Sequence, residues 1–394
     1  MTRTKKPSYL MPVFFGSTAF VFLNFGLPIR ADDLGISAVG IGGMYAVFTG
    51  TMLLVRPLVG YCLDRFGRRW FFTGAFLFYA SAMTVLAYSV NITDFYIARF
   101  LQGIGASLMW VSARTMVADL NNSTNRGEAM GRLTTTSVRG SMLGATYGFT
   151  LLGFMPMQSA WVWAFMGYAL MSLVGLIWAF FSVSESNVVQ RDEILPRLVW
   201  TSDLRKILFV VFLSGLASAL IEPIYLIYLK HKFELSIELL ALMFLPSGIV
   251  YAILPRYAGR WADRWGRAQL IAIGVTLGGL VSMALPFWPN LYYIAASYIL
   301  FAVGWAMASP AEDALVADLA PDKLRGAVIG AKEAAAGLGA ALGPMLGGFI
   351  YEYWAKELAF VINGILLLIT AGLVIYWFHN RVLASQIESE PLIK

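Results

Sequence analysis

Polar and apolar positions alternate along this chain in long blocks. Runs of about twenty apolar residues, the length an α-helix needs to cross the hydrocarbon core of a bilayer, fall at 10–29, 39–59, 70–90, 95–115, 131–153, 160–183, 207–229, 237–257, 269–288, 291–311, 327–350 and 358–378. Short polar turns separate them, and a longer polar link, 184–206, follows the sixth. The pattern predicts an all-α membrane protein with twelve transmembrane helices, numbered here as spans 1–12. They group into a six-helix half over 1–183, a cytoplasmic linker over 184–206, a second six-helix half over 207–380 and a tail over 381–394. The basic stretch Met1–Ser8 precedes Leu10–Ile29, which is long enough to span and has no small-residue cleavage site after it. It reads as span 1 rather than as a removable signal peptide.

The two halves are copies of one unit. Gly60-Tyr-Cys-Leu-Asp64-Arg65-Phe-Gly67-Arg68-Arg69, between spans 2 and 3, returns 199 residues later as Gly259-Arg-Trp-Ala-Asp263-Arg264-Trp-Gly266-Arg267. The same offset maps Asp119 onto Asp318, and Gly140, Gly144 and Gly148 onto Gly339, Gly343 and Gly347. Agreement at one spacing over separate segments is the signature of internal duplication. An even number of spans per copy gives the copies parallel topology, related by a pseudo-two-fold axis along the membrane normal. In the repeated turn, glycines let two helix ends approach closely. An aspartate at a helix end can receive a neighbouring arginine, so the cluster can latch two helices together. The plainer reading is a basic anchor with turn glycines, and duplication at a fixed offset weighs against it.

Charge fixes the orientation. One side of the membrane collects twenty Lys and Arg residues, among them Arg65, Arg68, Arg69, Arg264 and Arg267; the other collects only Arg30, Lys230, Lys232 and Lys356. By the excess of basic residues on cytoplasmic loops, both termini, the linker and both repeated turns are cytoplasmic in a multi-pass protein of the cell (inner) membrane. The net charge of +6 reflects this bias and needs no nucleic-acid partner. Composition agrees: the chain is 59% hydrophobic and 13% charged, and its mean hydropathy is +0.69. A soluble protein carries roughly 25% charged residues. One cysteine and two histidines, His231 and His379 at span ends, leave neither an internal disulfide nor a metal site.

Charged residues inside the apolar runs are costly and mark function by default. Arg99 sits in Arg99-Phe-Leu-Gln102-Gly103 of span 4, where it is either a buried functional charge or a side chain snorkelling to the outer interface. Arg139 lies about ten residues into span 5, near the midplane, and calls for an acidic partner or an anionic substrate. Glu222 and Glu333 lie in spans 7 and 11; burial disfavours an ionised carboxyl, so each can load a proton on one side and release it on the other. Glu222, Glu333 and Arg139 facing one cavity is the favoured constellation, against a structural ion pair. Lys332 also falls within a span, Glu312 and Asp313 lie at the inner end of span 10, and Arg56 and Arg114 read as interfacial anchors. Asn24, Tyr45, Trp110, Tyr225 and Trp305, with Tyr228 and Met109, line a pocket or simply pack, as aromatic and Met residues at helical spacing commonly do.

The duplicated Gly-x-x-x-Asp-Arg-x-Gly-Arg turn resembles the signature of the major facilitator superfamily, and the resemblance covers the whole length. It implies the major facilitator fold, with a site between the halves near the midplane. It also implies a cytoplasmic charge relay of Asp64, Arg68 and Asp119, repeated as Asp263, Arg267 and Asp318, in a gating role. The Arg99 run is similar to the family's second motif, whose arginine is linked to proton coupling. Span 11 carries Gly339-Ala-Ala-Leu-Gly343-Pro344-Met-Leu-Gly347-Gly348, which resembles the family's antiporter motif. That motif normally sits in span 5, where this chain keeps the glycines but has Ala145 in place of the proline. Leu220-Ile-Glu222-Pro223, Phe244-Leu-Pro246-Ser247 and Glu333 resemble the drug-antiporter branch, which holds the vesicular amine transporters and tetracycline-type exporters. In those amine transporters the acids matching Glu222 and Glu333 handle protons or cations. The acid they carry in span 1 is replaced here by Asn24.

The expected function is therefore secondary transport by alternating access, proton-coupled export of a small amphipathic compound, by a monomer in the lipid bilayer with no cofactor or metal. Uptake or exchange of an organic anion or nutrient is the alternative, motivated by Arg99, Arg139 and the lost proline of span 5. An intramembrane enzyme lacks a His pair, a Cys nucleophile and a Gly-x-Ser-x-Gly elbow, and Asp32 and Asp33 are adjacent rather than on facing helices. A receptor would need an output domain. A primary pump would need an ATP-binding loop, which the sequence does not contain.

Overall fold

The computed structural model describes residues 9–121, 125–185, 200–234, 264–321 and 324–389, with scattered positions between 243 and 261. Most of span 8, with Gly259 and Asp263, lies outside the described residues, as does the side chain of Asp64. Every regular element among the described residues is helical. Among the described residues, nine helices are long and apolar enough to cross a membrane; they correspond to spans 1–3, 6, 7 and 9–12. Spans 4 and 5 are helices of the same length, Ile92–Leu120 and Arg126–Phe154. They fall short only in apolarity, because Arg99, Arg114, Arg132 and Arg139 lie on them.

Several helices overrun the apolar runs. Span 2 forms Ala38–Phe66, span 10 Leu291–Leu319, span 11 Arg325–Tyr353 and span 12 Lys356–Ser389. Local chemistry sets several ends. Ser37 and Thr201 accept backbone N–H groups of Gly40 and Leu204, and Asn91 with Asp94 forms a reciprocal capping box. Such caps satisfy amides that the first helical turn leaves unpaired. Gly67 and Gly266, equivalent at the repeat offset, both adopt a positive φ, +87° and +91°. There a side chain would be strained, so the span 2–3 corner and its copy before span 9 require glycine.

The chain divides into two compact units, Met1–Asp192 and Glu193–Lys394. Three of the pairings recur in both units. In the first unit span 1 packs on span 5, span 3 on spans 4 and 6, and span 2 on span 4; in the second, span 7 packs on span 11, and span 9 on spans 10 and 12. Phe72, Phe76, Tyr79 and Met109 anchor one core, and Val210, Ile271, Val275 and Phe378 the other.

The glycine rows explain the tightest pairing in each unit. A Cβ on Gly140 or Gly144 of span 5 would collide with the carbonyl oxygens of Phe14 and Thr18 in span 1. Span 1 breaks at that contact into helices Leu10–Gly16 and Phe20–Asp33. Ser137 Oγ donates to Ser17 Oγ at 2.8 Å, and Ser141 Oγ to the Ser17 carbonyl at 3.0 Å. In the second unit, Gly339, Gly343 and Gly347 face the carbonyls of Phe212, Leu216 and Leu220 in span 7. Small residues four apart thus let two backbones meet with no side chain between them. Pro344 and Gly348 are buried beside this row, and the helix continues through the proline.

Candidate functional site

The repeated basic turn of the first unit is a built cluster. Arg68 is 4% exposed; its Nε donates to Asp119 Oδ2 at 3.1 Å and its Nη1 to the Leu63 carbonyl at 2.9 Å. Span 2 is thereby tied to the end of span 4 through a charge-assisted bond. Arg267 pairs with Asp318 in the second unit and also donates to the Ala314 carbonyl at 2.6 Å. The two Arg–Asp pairs are related by the repeat offset.

Other parts of the motif behave differently. Arg65 is exposed and donates to Tyr61 Oη at 3.1 Å, outside the pair, and Arg264 is exposed. Gly60 does not serve close approach, because a Cβ there would meet nothing within 4 Å. Gly67 does, lying against the Glu185 carboxylate. Sequence reasoning missed Glu185. Its carboxylate accepts the backbone N–H groups of Arg68 at 2.6 Å and Arg69 at 3.2 Å, capping span 3, Arg69–Ala87, from the end of span 6. The available signal was an acid directly after span 6, on the side that collects the basic turn.

Arg99 does not snorkel. It is 2% exposed, donates to Gln102 Oε1 at 2.8 Å, and lies 4.8 Å and 5.1 Å from the ring centroids of Tyr45 and Phe48 in span 2. Tyr45 Oη in turn donates to the Asn24 carbonyl at 3.3 Å. Two aromatic faces and an amide oxygen hold a guanidinium inside the first unit and join spans 1, 2 and 4. The Asn24 side chain itself is exposed.

Several pocket candidates lie inside one unit. Tyr45, Tyr225, Tyr228 and Met109 are buried. Tyr225 stands between Tyr298 and Phe360, with centroids at 5.5 Å and 6.1 Å, and Tyr228 lies 4.7 Å from Phe360. Each points toward a neighbouring helix of its own unit. Trp110 and Trp305 keep accessible surface; Arg114 lies over Trp110 at 5.8 Å, and Trp305 borders a small void with Ser218, Gly274 and Phe301.

The intramembrane charges occupy distinct levels. Arg139 is exposed on a face of span 5 that also presents Thr135, Thr146 and Thr150. Glu222 and Glu333 are both exposed, but they do not form one group of neighbours. Gly347 packs at the Leu220 carbonyl, so Glu222 stands level with Gly347, fourteen residues beyond Glu333. At 1.5 Å per residue the two acids are separated by about 20 Å along the helix pair. The register of span 7 on span 11, set by the glycine row, enforces this separation. Lys332, next to Glu333 in span 11, pairs its ammonium with the Asp313 carboxylate of span 10.

The sequence model of the Major Facilitator Superfamily matches this chain twice, over residues 10–209 and 207–390. The "Multidrug resistance protein 2" of Bacillus subtilis (strain 168) is 21% identical over 387 residues, covering 93% of this chain and 94% of that protein. The "Synaptic vesicular amine transporter" of Bos taurus is 28% identical over 353 residues, covering 84% of this chain and 64% of that one. Among solved structures, the inward open xylose transporter XylE from E. coli superposes with a TM-score of 0.71 at 17% identity, covering 93% of this chain and 94% of that chain. At that identity the likeness speaks for the fold.

Proposed function

Because the chain belongs to the Major Facilitator Superfamily, we propose that it is a secondary transporter that exports a small amphipathic compound in exchange for protons by alternating access. One observation carries this reading. Carboxylates at bilayer depth, Glu222 and Glu333, and the buried Arg99 occur in a chain aligned along nearly its whole length with a protein named for multidrug resistance. Acids at bilayer depth change protonation with their surroundings, because an ionised carboxyl is disfavoured where water is scarce. Glu222 and Glu333 are the proton carriers in this reading, at two levels of the second unit, and Arg99 organises the first. The Arg68–Asp119 and Arg267–Asp318 pairs gate the cytoplasmic side. Trp110, Trp305, Asn24 and Arg139 are the groups offered to the substrate. The protein works as a monomer in the cell membrane with both termini cytoplasmic.

A second reading, uptake or exchange of an organic anion or nutrient, is favoured by the exposed Arg139 among the threonines of span 5. Guanidinium and hydroxyl donors together suit a carboxylate or sulfonate. Purified protein in liposomes carrying a trapped pH dye, challenged with amphipathic cations, neutral drugs and organic anions in turn, separates the two. Proton flux evoked by cations or neutral drugs supports export by antiport. Flux evoked by anions alone moves Arg139 into the substrate site and overturns the first reading.

A further inference from the structure

Arg30 is buried, 8% exposed, in the last turn of the helix Phe20–Asp33. Its guanidinium lies over the Trp161 ring at 5.9 Å. Trp161 is the centre of an aromatic nest: the rings of Phe165, Phe22 and Phe95 stand 4.4, 6.2 and 6.5 Å from it, and all four side chains are buried. Trp161 Nε1 donates to the Leu86 carbonyl at 2.7 Å. Among the described residues no hydrogen bond or ion pair engages the Arg30 guanidinium. Its Nε is sealed off without a partner, and the accessible edge is that of the Nη atoms. The acids of this corner are placed elsewhere. Asp32, two residues on, does not share a helix face with Arg30. Asp33 is exposed, and the Asp94 carboxylate accepts the Val90 and Asn91 amides.

A basic residue in the last turn is favoured by the carbonyl end of its helix. That accounts for a cation at this place but not for its burial. A charge withdrawn from water needs an opposite charge or hydrogen bonds, and an aromatic face offsets only part of the cost. The second unit closes the same corner without a buried charge. At the offset of 199, Trp161 maps onto Phe360, Leu86 onto Leu285 and Arg30 onto Leu229. Leu229 is buried, and the Tyr228 ring lies 4.7 Å from Phe360. Lys232 lies over Tyr228 at 5.5 Å, yet it is exposed and its ammonium donates to the Pro286 carbonyl at 2.6 Å. Packing therefore does not call for a charge at position 30.

We propose that Arg30, seated on Trp161, is a binding site for a phosphate group, supplied by the headgroup of an anionic phospholipid. The planar fork of a guanidinium matches the oxygens of a phosphate, which can pair with the accessible Nη edge and balance the buried charge. Depth selects the lipid. Trp161 lies near the start of the span 6 helix, Met157–Ser182, at the end opposite Glu185 and the basic turn. Tyr88, Val90 and Trp163 are exposed at this end. Exposed Trp and Tyr at helix ends mark the membrane interface, the layer that holds the lipid phosphates. A phosphate on Arg30 ties together the ends of spans 1, 3 and 6, which Trp161 already joins through Leu86. The site is independent of what the protein transports.

The experiment is thermal unfolding of the purified, delipidated full chain in neutral detergent. Three probes are added in turn: phosphatidylglycerol, diacylglycerol with the same acyl chains, and inorganic phosphate. Phosphatidylglycerol is expected to raise the midpoint of the wild type by about 5 °C at a hundredfold excess over its dissociation constant, and diacylglycerol to leave it in place. Arg30→Gln and Arg30→Leu are expected to lose the shift, Arg30→Lys to keep part of it, and Lys356→Gln, a control on the same side, to keep all of it. Leucine is the residue the second unit carries here, so Arg30→Leu bears the test if Arg30→Gln is not monodisperse. Without lipid, Arg30→Leu is expected to unfold no lower than the wild type, because it removes an uncompensated charge. A lower midpoint gives Arg30 a packing role and overturns the site. Equal shifts with phosphatidylglycerol in wild type and Arg30→Leu, or equal shifts with the two lipids, also overturn it. A shift with inorganic phosphate that Arg30→Leu abolishes, with none from phosphatidylglycerol, overturns the assignment to lipid and leaves a site for free phosphate.

Discussion

Arg99 gathers an unusual number of partners for one side chain. Two aromatic faces and a glutamine oxygen surround it, so a change there leaves a hole and strands polar atoms. Arg99→Leu is expected to lower unfolding stability by about 3 kcal/mol, the cost typical of breaking a buried charged network; Arg99→Lys loses the planar fork that the site is shaped to and falls between. Thermal unfolding in detergent reads both. A loss under about 0.5 kcal/mol for Arg99→Leu contradicts the network. At Glu185, replacement by alanine leaves the Arg68 and Arg69 amides uncapped and costs about 1 kcal/mol. A double-mutant cycle between Arg68 and Asp119 is expected to show a coupling of about 1–3 kcal/mol, and a coupling near zero makes the ion pair ornamental.

Elements were the most legible level of this chain, because a bilayer demands uninterrupted apolar runs and a closed backbone hydrogen-bond ladder. Spans 4 and 5 could still be read despite their arginines, since each kept its length. Helix ends beyond the bilayer were not legible, because there capping and packing decide, as Ser37, Thr201 and Gly67 do. The glycine rows were visible as spacing, yet their partners were not: that Gly144 meets the Thr18 carbonyl and Gly347 the Leu220 carbonyl is a property of helix register. That register carried the main surprise, the separation of Glu222 from Glu333, since two acids on different helices declare nothing about their relative height. The contrast among glycines is testable. Gly144→Val and Gly343→Val drive side-chain atoms into backbone that has no room to move, and are expected to abolish recovery of folded protein. Gly60→Ala meets open space and is expected to leave yield and unfolding temperature within experimental error of the wild type. Equal tolerance at all three positions contradicts the close-packing account.

At the scale of the whole molecule, duplication supplies the frame and departures from it supply the chemistry. Arg–Asp pairs and glycine rows recur in both copies, whereas Arg99, Glu222, Glu333 and Lys332 have no charged counterpart at the repeat offset: Tyr298 matches Arg99, and Leu23, Thr134 and Leu133 match the other three. A scaffold of two equivalent units therefore carries unequal charge, Arg99 in one and carboxylates in the other. The most direct test records substrate movement and internal pH in the same liposomes, for wild type, Glu222→Gln and Glu333→Gln. Wild-type vesicles are expected to move protons against substrate. Each variant is expected to retain substrate exchange down its own gradient while losing at least tenfold of the coupled proton flux. If both variants keep the wild-type ratio of protons to substrate across the pH range, the two acids are not the proton carriers and the coupling account is wrong.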